Sequence, residues 1–202
     1  MIETIYAQLR DEARELVEVT DDNDQPLLVM SMADVHRQSL RHRVVLTLLY
    51  DTGGRLYLQR RAQSKRFYPG RWDISSTGHV HAGESREHAA LRELNEELGV
   101  FPGRVTQIAH IPASPQTEHA SITLFSARLG NALPCPNPSE VSEGLFVDRE
   151  ELESMLTHFR ELLTPAILWA AEQGYLFDAP RMPLPDTAPP APPHLHNDEE
   201  PL

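Results

Sequence analysis

At 202 residues the chain has the size of one ordinary domain and is too short for two large ones. It is 40% hydrophobic, enough for a core, and its 18 basic against 30 acidic residues give a net charge of −12. That charge argues against a general affinity for nucleic acid or anionic membrane, and the single cysteine, Cys135, excludes an internal disulfide framework and a cysteine-based zinc site.

Residues 1–17 read as a charged amphipathic helix with Ile5, Leu9, Leu16 and Val17 as its apolar content. No signal-like apolar stretch follows Met1, and no run approaches the ~18 apolar residues of a membrane span, so a cytoplasmic protein is expected. The acidic stretch 21–26 is a turn leading into the short apolar run 27–30. Between Arg37 and Arg71 lie nine basic residues and one acidic residue, Asp51, so half of the positive charge falls within 35 residues. An acidic protein that concentrates its cations in this way points to a site for an anion; a solvated face balancing the acidic ends is the alternative. Residues 44–50 form a nearly continuous apolar run suited to a central strand, and the turn Asp51-Thr52-Gly53-Gly54 joins it to an alternating strand over 55–60 in a hairpin. Residues 70–79 read as a glycine-rich loop ahead of a helix over 84–98, which Gly99 stops in a left-handed conformation. Strands follow over 105–111 and 121–127, then a loop over 131–143 and a short strand over 145–147. Asp148 and Glu151 form a capping box, and Thr164-Pro165 opens another helix. Strands interleaved with helices predict a layered α/β domain. Eight of the last 24 residues are proline, so 179–202 is expected to be an extended or disordered tail.

The helix over 84–98 carries the chemistry. Leu91, Leu94 and Leu98, with Ala90 beside them, lie on a face that can pack on a sheet. Glu93 and Glu97, four residues apart, stack their carboxylates on a different face, with Glu96 alongside. Like charges at that spacing destabilise an isolated helix. Arg92 compensates part of the repulsion, and a divalent cation with oxygen ligands would compensate more, with the carbonyls of the Gly78-His79 loop completing its coordination. On periodicity alone, a solvated acidic face is the competing explanation.

The spacing continues on both sides of these residues. Gly78 is followed by five residues and Glu84, then seven residues and Arg92-Glu93-Leu94, one residue and Glu96-Glu97, one residue and Gly99-Val100. Every fixed position resembles the 23-residue box of the Nudix hydrolases. The resemblance implies an α/β/α sandwich with a mixed sheet, magnesium or manganese as cofactor, and hydrolysis of a diphosphate linked to another moiety, usually a nucleoside. It implies Glu93, Glu96 and Glu97 as catalytic and metal-binding carboxylates, the Gly78 carbonyl as a further ligand, and Arg92 as the group that orients Glu93. Glu84 and Gly99 would be structural within the box. Arg60, Arg61, Lys65 and Arg66 are candidates for the substrate's phosphates, Glu143 for a further carboxylate over the site, and Phe67, Tyr68 and Trp72 for stacking. The expected organisation is an extension over 1–35 packed on a hydrolase domain over 36–178, then the tail. The expected partner is a small-molecule nucleotide or other diphosphate, with no stable nucleic-acid or membrane binding, in a monomer or homodimer.

Flanking segments sharpen the resemblance. Leu40-Arg41-His42-Arg43, Arg60-Arg61-Ala62-Gln63-Ser64-Lys65 and Pro69-Gly70-Arg71-Trp72-Asp73 resemble the branch that contains isopentenyl-diphosphate isomerases and their hydrolase relatives. Such isomerases use a cysteine before the Gly-His pair and a glutamate on a later strand; this chain has Thr77 and Ala120 there, while Glu118 matches a metal-binding carboxylate. His42 and His79 resemble histidines that isomerases use for a second metal, and His36 is a weaker candidate for the same role. A hydroxyl is a poor acid–base group near neutral pH where a thiol is tunable. Hydrolase is therefore the expectation, isomerase the alternative, and a non-catalytic nucleotide-binding module the third reading.

Overall fold

A computed structural model of the chain describes residues 15–130 and 132–177. The amphipathic helix expected over 1–17 lies outside these residues except at its end, and there Leu16 and Val17 open a strand instead. The proline-rich tail also lies outside them. Strands β1 (Leu16–Thr20) and β2 (Pro26–Ser31) form an antiparallel hairpin. Its turn is held by Asp21, whose Oδ1 accepts from the backbone N–H groups of Asn23 and Gln25 at 2.8 and 2.9 Å. Helix α1 (Met32–Gln38) follows, capped by Ser31 and closed at Ser39 in the left-handed conformation. Val17, Val19, Met32 and Val35 make a small core of their own beneath this unit.

The main sheet has seven strands, and β3 (His42–Tyr50) lies at its centre. It pairs in parallel with β8 (Ala120–Arg128) along its whole length, from His42 opposite Ala120 to Tyr50 opposite Arg128, and β7 (Thr106–Ile111) adds an antiparallel edge to β8. On the other side of β3 the expected hairpin closes only at its turn. Tyr50 pairs with Leu56, after which β4 (Leu56–Arg61) leaves to pair with β9 (Val141–Val147) and with β5 (Trp72–Asp73). The edge of β3 that β4 vacates is taken by β6 (Ser76–His79), with Val44 opposite His79 and Thr47 opposite Ser76. The glycine-rich segment expected as a loop therefore contains two strands, and β9 begins at Val141 inside the other expected loop. Both corrections have one cause: long-range pairing satisfies backbone groups whose local sequence carries turn residues.

Both faces of the sheet are covered, which is why β3 reads as an apolar run rather than an alternation. Helix α2 (Arg86–Leu98) covers one face, where Leu94 and Leu98 pack with Leu49, Tyr57, Ala127 and Val141, and Ala89 and Ala90 pack with Val45 and Phe125. Helices α3 (Arg149–His158) and α4 (Pro165–Glu172) cover the other with Leu152, Ile167 and Ala170 over Leu46, Leu48, Leu56, Leu58 and Leu124. The result is the α/β/α sandwich with a mixed sheet. Among the described residues no helix is long and apolar enough to cross a membrane.

Buried Asp73 ties three elements together. Its Oδ1 accepts from the Ile74 N–H at 2.9 Å and the Thr164 hydroxyl at 2.6 Å, and its Oδ2 accepts from Arg61 at 3.2 Å. Removing one member of a buried ion pair strands the other charge, so Asp73→Ala should cost roughly 3–5 kcal/mol in a denaturant unfolding measurement. An unchanged midpoint would show that Arg61 and Thr164 find other partners.

Candidate active site

Helix α2 begins two residues later than the sequence pattern suggests. Ser85 is its cap, accepting from the His88 N–H at 3.2 Å, and Gly99 (φ 65°) ends it by donating back to Asn95 and Leu94. Glu84 thus lies just outside the helix, where its carboxylate takes a fork from Arg92: Nε to Oε1 and Nη2 to Oε2, both at 3.0 Å. Arg92 Nη2 also donates to the His79 carbonyl at 2.9 Å, and Nη1 donates to Glu93 Oε1 at 2.7 Å and Glu96 Oε2 at 3.1 Å. Burial opposes this guanidinium's charge, but Glu84 and Glu93 outweigh it, so its proton is held more tightly than usual.

Glu93 and Glu97 are enclosed, while Glu96 has a side chain 54% exposed. The Glu93 carboxyl group lies directly on Gly78 of β6: a Cβ there would fall 2.0 Å from Glu93 Cδ. Only glycine admits that approach, so Gly78 is required by packing as well as by any role of its carbonyl. Glu97 is only 5% exposed, and its Oε2 accepts from Gln59 Nε2 at 3.1 Å and from the Thr77 N–H at 3.3 Å. Burial raises the proton affinity of both carboxyls; the charge of Glu93 adds to the effect at Glu97, and that of Glu96 adds to it at Glu93 despite the opposing Arg92. Carboxylates in that condition gain most from a divalent cation, so this donor set fits magnesium or manganese.

A second cluster lies beside the first. The ligand-competent atoms of His36, His42 and His79 lie within 4.8 Å of one another, the one such set of three or more among the described residues. His42 Nδ1 lies 3.0 Å from the Leu40 carbonyl, which assigns the proton to Nδ1 and the lone pair to Nε2. His36 Nδ1 is buried with no hydrogen-bond partner. Burial, with the charge of His79, lowers the pKa of His36 and of His42 to about 4, so both are neutral at physiological pH, the form that ligates metals. Glu15, unanticipated from sequence, reaches His79 Nδ1 at 3.0 Å. Glu118 is exposed at the end of a 3₁₀ turn and does not join the set.

The basic residues at the end of β4 and just after it are more engaged than the charge pattern suggests. Arg60 pairs across the strands with Glu143 at 3.0 Å, donates to the Gly70 carbonyl and lies over the Trp72 ring. This makes Glu143 a cross-strand partner on β9. Arg61 turns inward to Asp73 and donates to the Phe67 carbonyl, which is a bracing position. Lys65 pairs with Glu140, and its charge opposes the rise in proton affinity at Glu97. Arg66 lies over the Phe67 ring, and Phe67 and Tyr68 are exposed. Sequence reasoning missed Gln59, whose signal was a polar side chain on the face of β4 shared with buried Tyr57. It also missed Cys135 and Asn137, whose N–H groups take the Leu98 and Glu97 carbonyls at 2.7 and 2.8 Å and hold the end of α2.

The profile of the NUDIX domain family matches residues 40–167. An isopentenyl-diphosphate Δ-isomerase of Brevibacterium linens is 36% identical over 70% of this chain and 81% of its own length. An uncharacterised Nudix hydrolase of Yersinia pestis is 36% identical over 83% of this chain and 93% of its own. The crystal structure of a Deinococcus radiodurans protein superposes with a TM-score of 0.67 at 27% identity, covering 80% of this chain and 99% of that one.

The two clusters should separate by pH. A cation entering between Glu93 and Glu97 displaces protons that these carboxyls hold above the ordinary range, whereas His36 and His42 are already neutral. Manganese should therefore raise the melting temperature more at about pH 8.5 than at about pH 6. Gly78→Ala, which pushes Glu93 aside, should remove that increment and leave the shift at the lower pH. An increment unchanged in this variant would place the pH-dependent binding elsewhere.

Proposed function

The chain belongs to the Nudix family, and from that premise we propose that it is a pyrophosphohydrolase that cleaves the diphosphate linkage of a nucleoside diphosphate derivative by water attack at phosphorus, with magnesium or manganese as cofactor. The observation that carries this reading is the pair of enclosed carboxylates, Glu93 and Glu97, stacked on α2 against β6 with Arg92 bracing the first. Glu93, Glu97, the Gly78 carbonyl and exposed Glu96 would hold the cation, which supplies Lewis acidity to the phosphoryl oxygens when bound. The residues do the remainder. Arg92 fixes the orientation of Glu93 through Nη1, and its fork with Glu84 fixes Arg92. Glu93 or Glu97 would take the proton of the attacking water. Phe67 and Tyr68, exposed beside Arg66, supply surface for a base, and Arg66 with Lys65 supplies positive charge for the phosphates.

The three-histidine cluster favours a second reading. It supports a further metal site of the kind that the isomerase resemblance implies, with His79 joining the two clusters through its carbonyl on Arg92 and its ring beside His36 and His42. Isomerisation also needs two placed proton carriers. Thr77 offers only a hydroxyl, a poor acid–base group near neutral pH, and Ala120 sits opposite His42 in the parallel ladder, where a methyl group carries no proton.

Glu97→Gln keeps the size of the side chain and removes its charge, so metal-dependent release of phosphorus products from a panel of nucleoside di- and triphosphates and sugar conjugates should fall at least ~100-fold while the fold persists. Full turnover in this variant would sink the site. Isopentenyl diphosphate in deuterated water should yield neither allylic product nor deuterium incorporation, and oxygen-18 water should label a phosphate product of the nucleotide reaction. Catalytic allylic isomerisation would overturn the hydrolase reading.

A further inference from the structure

Gln59 lies on β4, whose backbone is paired at this residue on both sides, with Asp73 of β5 and Gly144 of β9. Its side chain is 1% exposed and shares a sheet face with Tyr57, while Leu56 and Leu58 enter the opposite core. A glutamine in such a position must find polar partners, since an unsatisfied buried amide costs on the order of 1–3 kcal/mol. The partner is Glu97: Gln59 Nε2 donates to Oε2 at 3.1 Å, and the Thr77 N–H reaches the same oxygen at 3.3 Å.

We propose that Gln59 is a positioning residue that divides the two oxygens of Glu97, holding Oε2 with a neutral donor so that Oε1 is the oxygen presented to the cation. The inference rests on the reading of Glu97 as a metal-binding carboxylate and adds a residue outside the box to it. Two features support the division. First, both donors on Oε2 are neutral, an amide side chain and a backbone N–H, so the carboxylate is oriented without its charge being cancelled. Glu93 and Glu96 are met differently, by a charged donor, since Arg92 Nη1 reaches both. Second, the amide is held on a strand paired on both edges, so the direction of its N–H is set by the sheet rather than by a surface rotamer. Partners of this kind typically contribute 10–100-fold to metal affinity or activity.

The test uses the full chain and Mn²⁺ as the probe, titrated by electron paramagnetic resonance, with thermal denaturation as the check on folding. Gln59→Met keeps the volume and removes the donor; Gln59→Asn keeps an amide but withdraws it by about 1.5 Å, roughly one methylene. Both should weaken the carboxylate class of Mn²⁺ sites about tenfold, leave the histidine class unchanged, and lower kcat on the best nucleotide substrate with little change in its KM. The double variant with Glu97→Gln should bind Mn²⁺ no more weakly than Glu97→Gln alone, because the two groups act as one unit. If Gln59→Met does not fold, Gln59→Asn decides. Wild-type Mn²⁺ binding in the folded Gln59 variants would overturn the inference, and so would a full additive loss in the double variant, which marks a merely structural role. If Glu97→Gln itself leaves Mn²⁺ binding and turnover intact, the reading of Glu97 falls and takes the inference with it.

Discussion

Arg92 contacts three carboxylates and a main-chain carbonyl at once, and the geometry of the site follows from that convergence. Three glutamates within one and a half turns of α2 repel one another, in a chain that already carries a net charge of −12. A single guanidinium resolves most of this: its fork is satisfied by Glu84 ahead of the helix, and its remaining donors reach Glu93, Glu96 and the end of β6. Loop, helix and sheet are therefore locked by one side chain. Glu97 lies outside its reach and takes its hydrogen bonds from neutral donors, so the charge it acquires on ionising at this most enclosed carboxylate is left largely uncompensated despite Lys65. That residual charge is what a divalent cation would neutralise.

The sheet supplies the other half of the arrangement. Because β4 leaves β3 after one pair, the vacated edge accepts the four-residue strand β6, and β6 becomes the floor beneath Glu93. The fit is close enough that a methyl group at Gly78 would collide with the carboxyl group. A glycine that reads as loop-forming is thus required for the absence of a side chain on a strand. Residues 135–137 close the other end of the helix by taking its last carbonyls, so α2 is held at both termini as well as along its apolar face.

The histidine cluster shows how hydrolase and isomerase can share a framework. His36 sits at the end of α1, His42 at the start of β3 and His79 at the end of β6, and their rings lie 5.4–5.6 Å apart. A metal held there would serve a diphosphate in either reaction, so the cluster alone does not distinguish them. Proton-carrying side chains do. The ladder position opposite His42 holds an alanine, and the residue before Gly78 is Thr77, whose hydroxyl is a poor acid–base group near neutral pH.

The sequence by itself determined the features that depend on local geometry. Helical pitch stacks Glu93 over Glu97 and brings Arg92 alongside Glu96, Gly99 stops the helix because it alone tolerates the left-handed turn without strain, and Asp148 with Glu151 caps α3. The continuous apolar run of β3 foretold a central strand. Tertiary structure decided what depends on distant pairing: that residues 76–79 form a strand, that the hairpin opens after Tyr50, and that Leu16 and Val17 extend rather than coil. It also chose partners for the charges. Nine cations in 35 residues read as an anion site, yet Arg60, Arg61 and Lys65 meet Glu143, Asp73 and Glu140, residues 12 to 83 positions away. Gln59 and Glu97 are 38 residues apart, and no periodicity links them. Spacing along one helix is set by bond geometry common to all chains, whereas contacts between elements depend on which edges pair, and that is settled by packing the whole sheet at once.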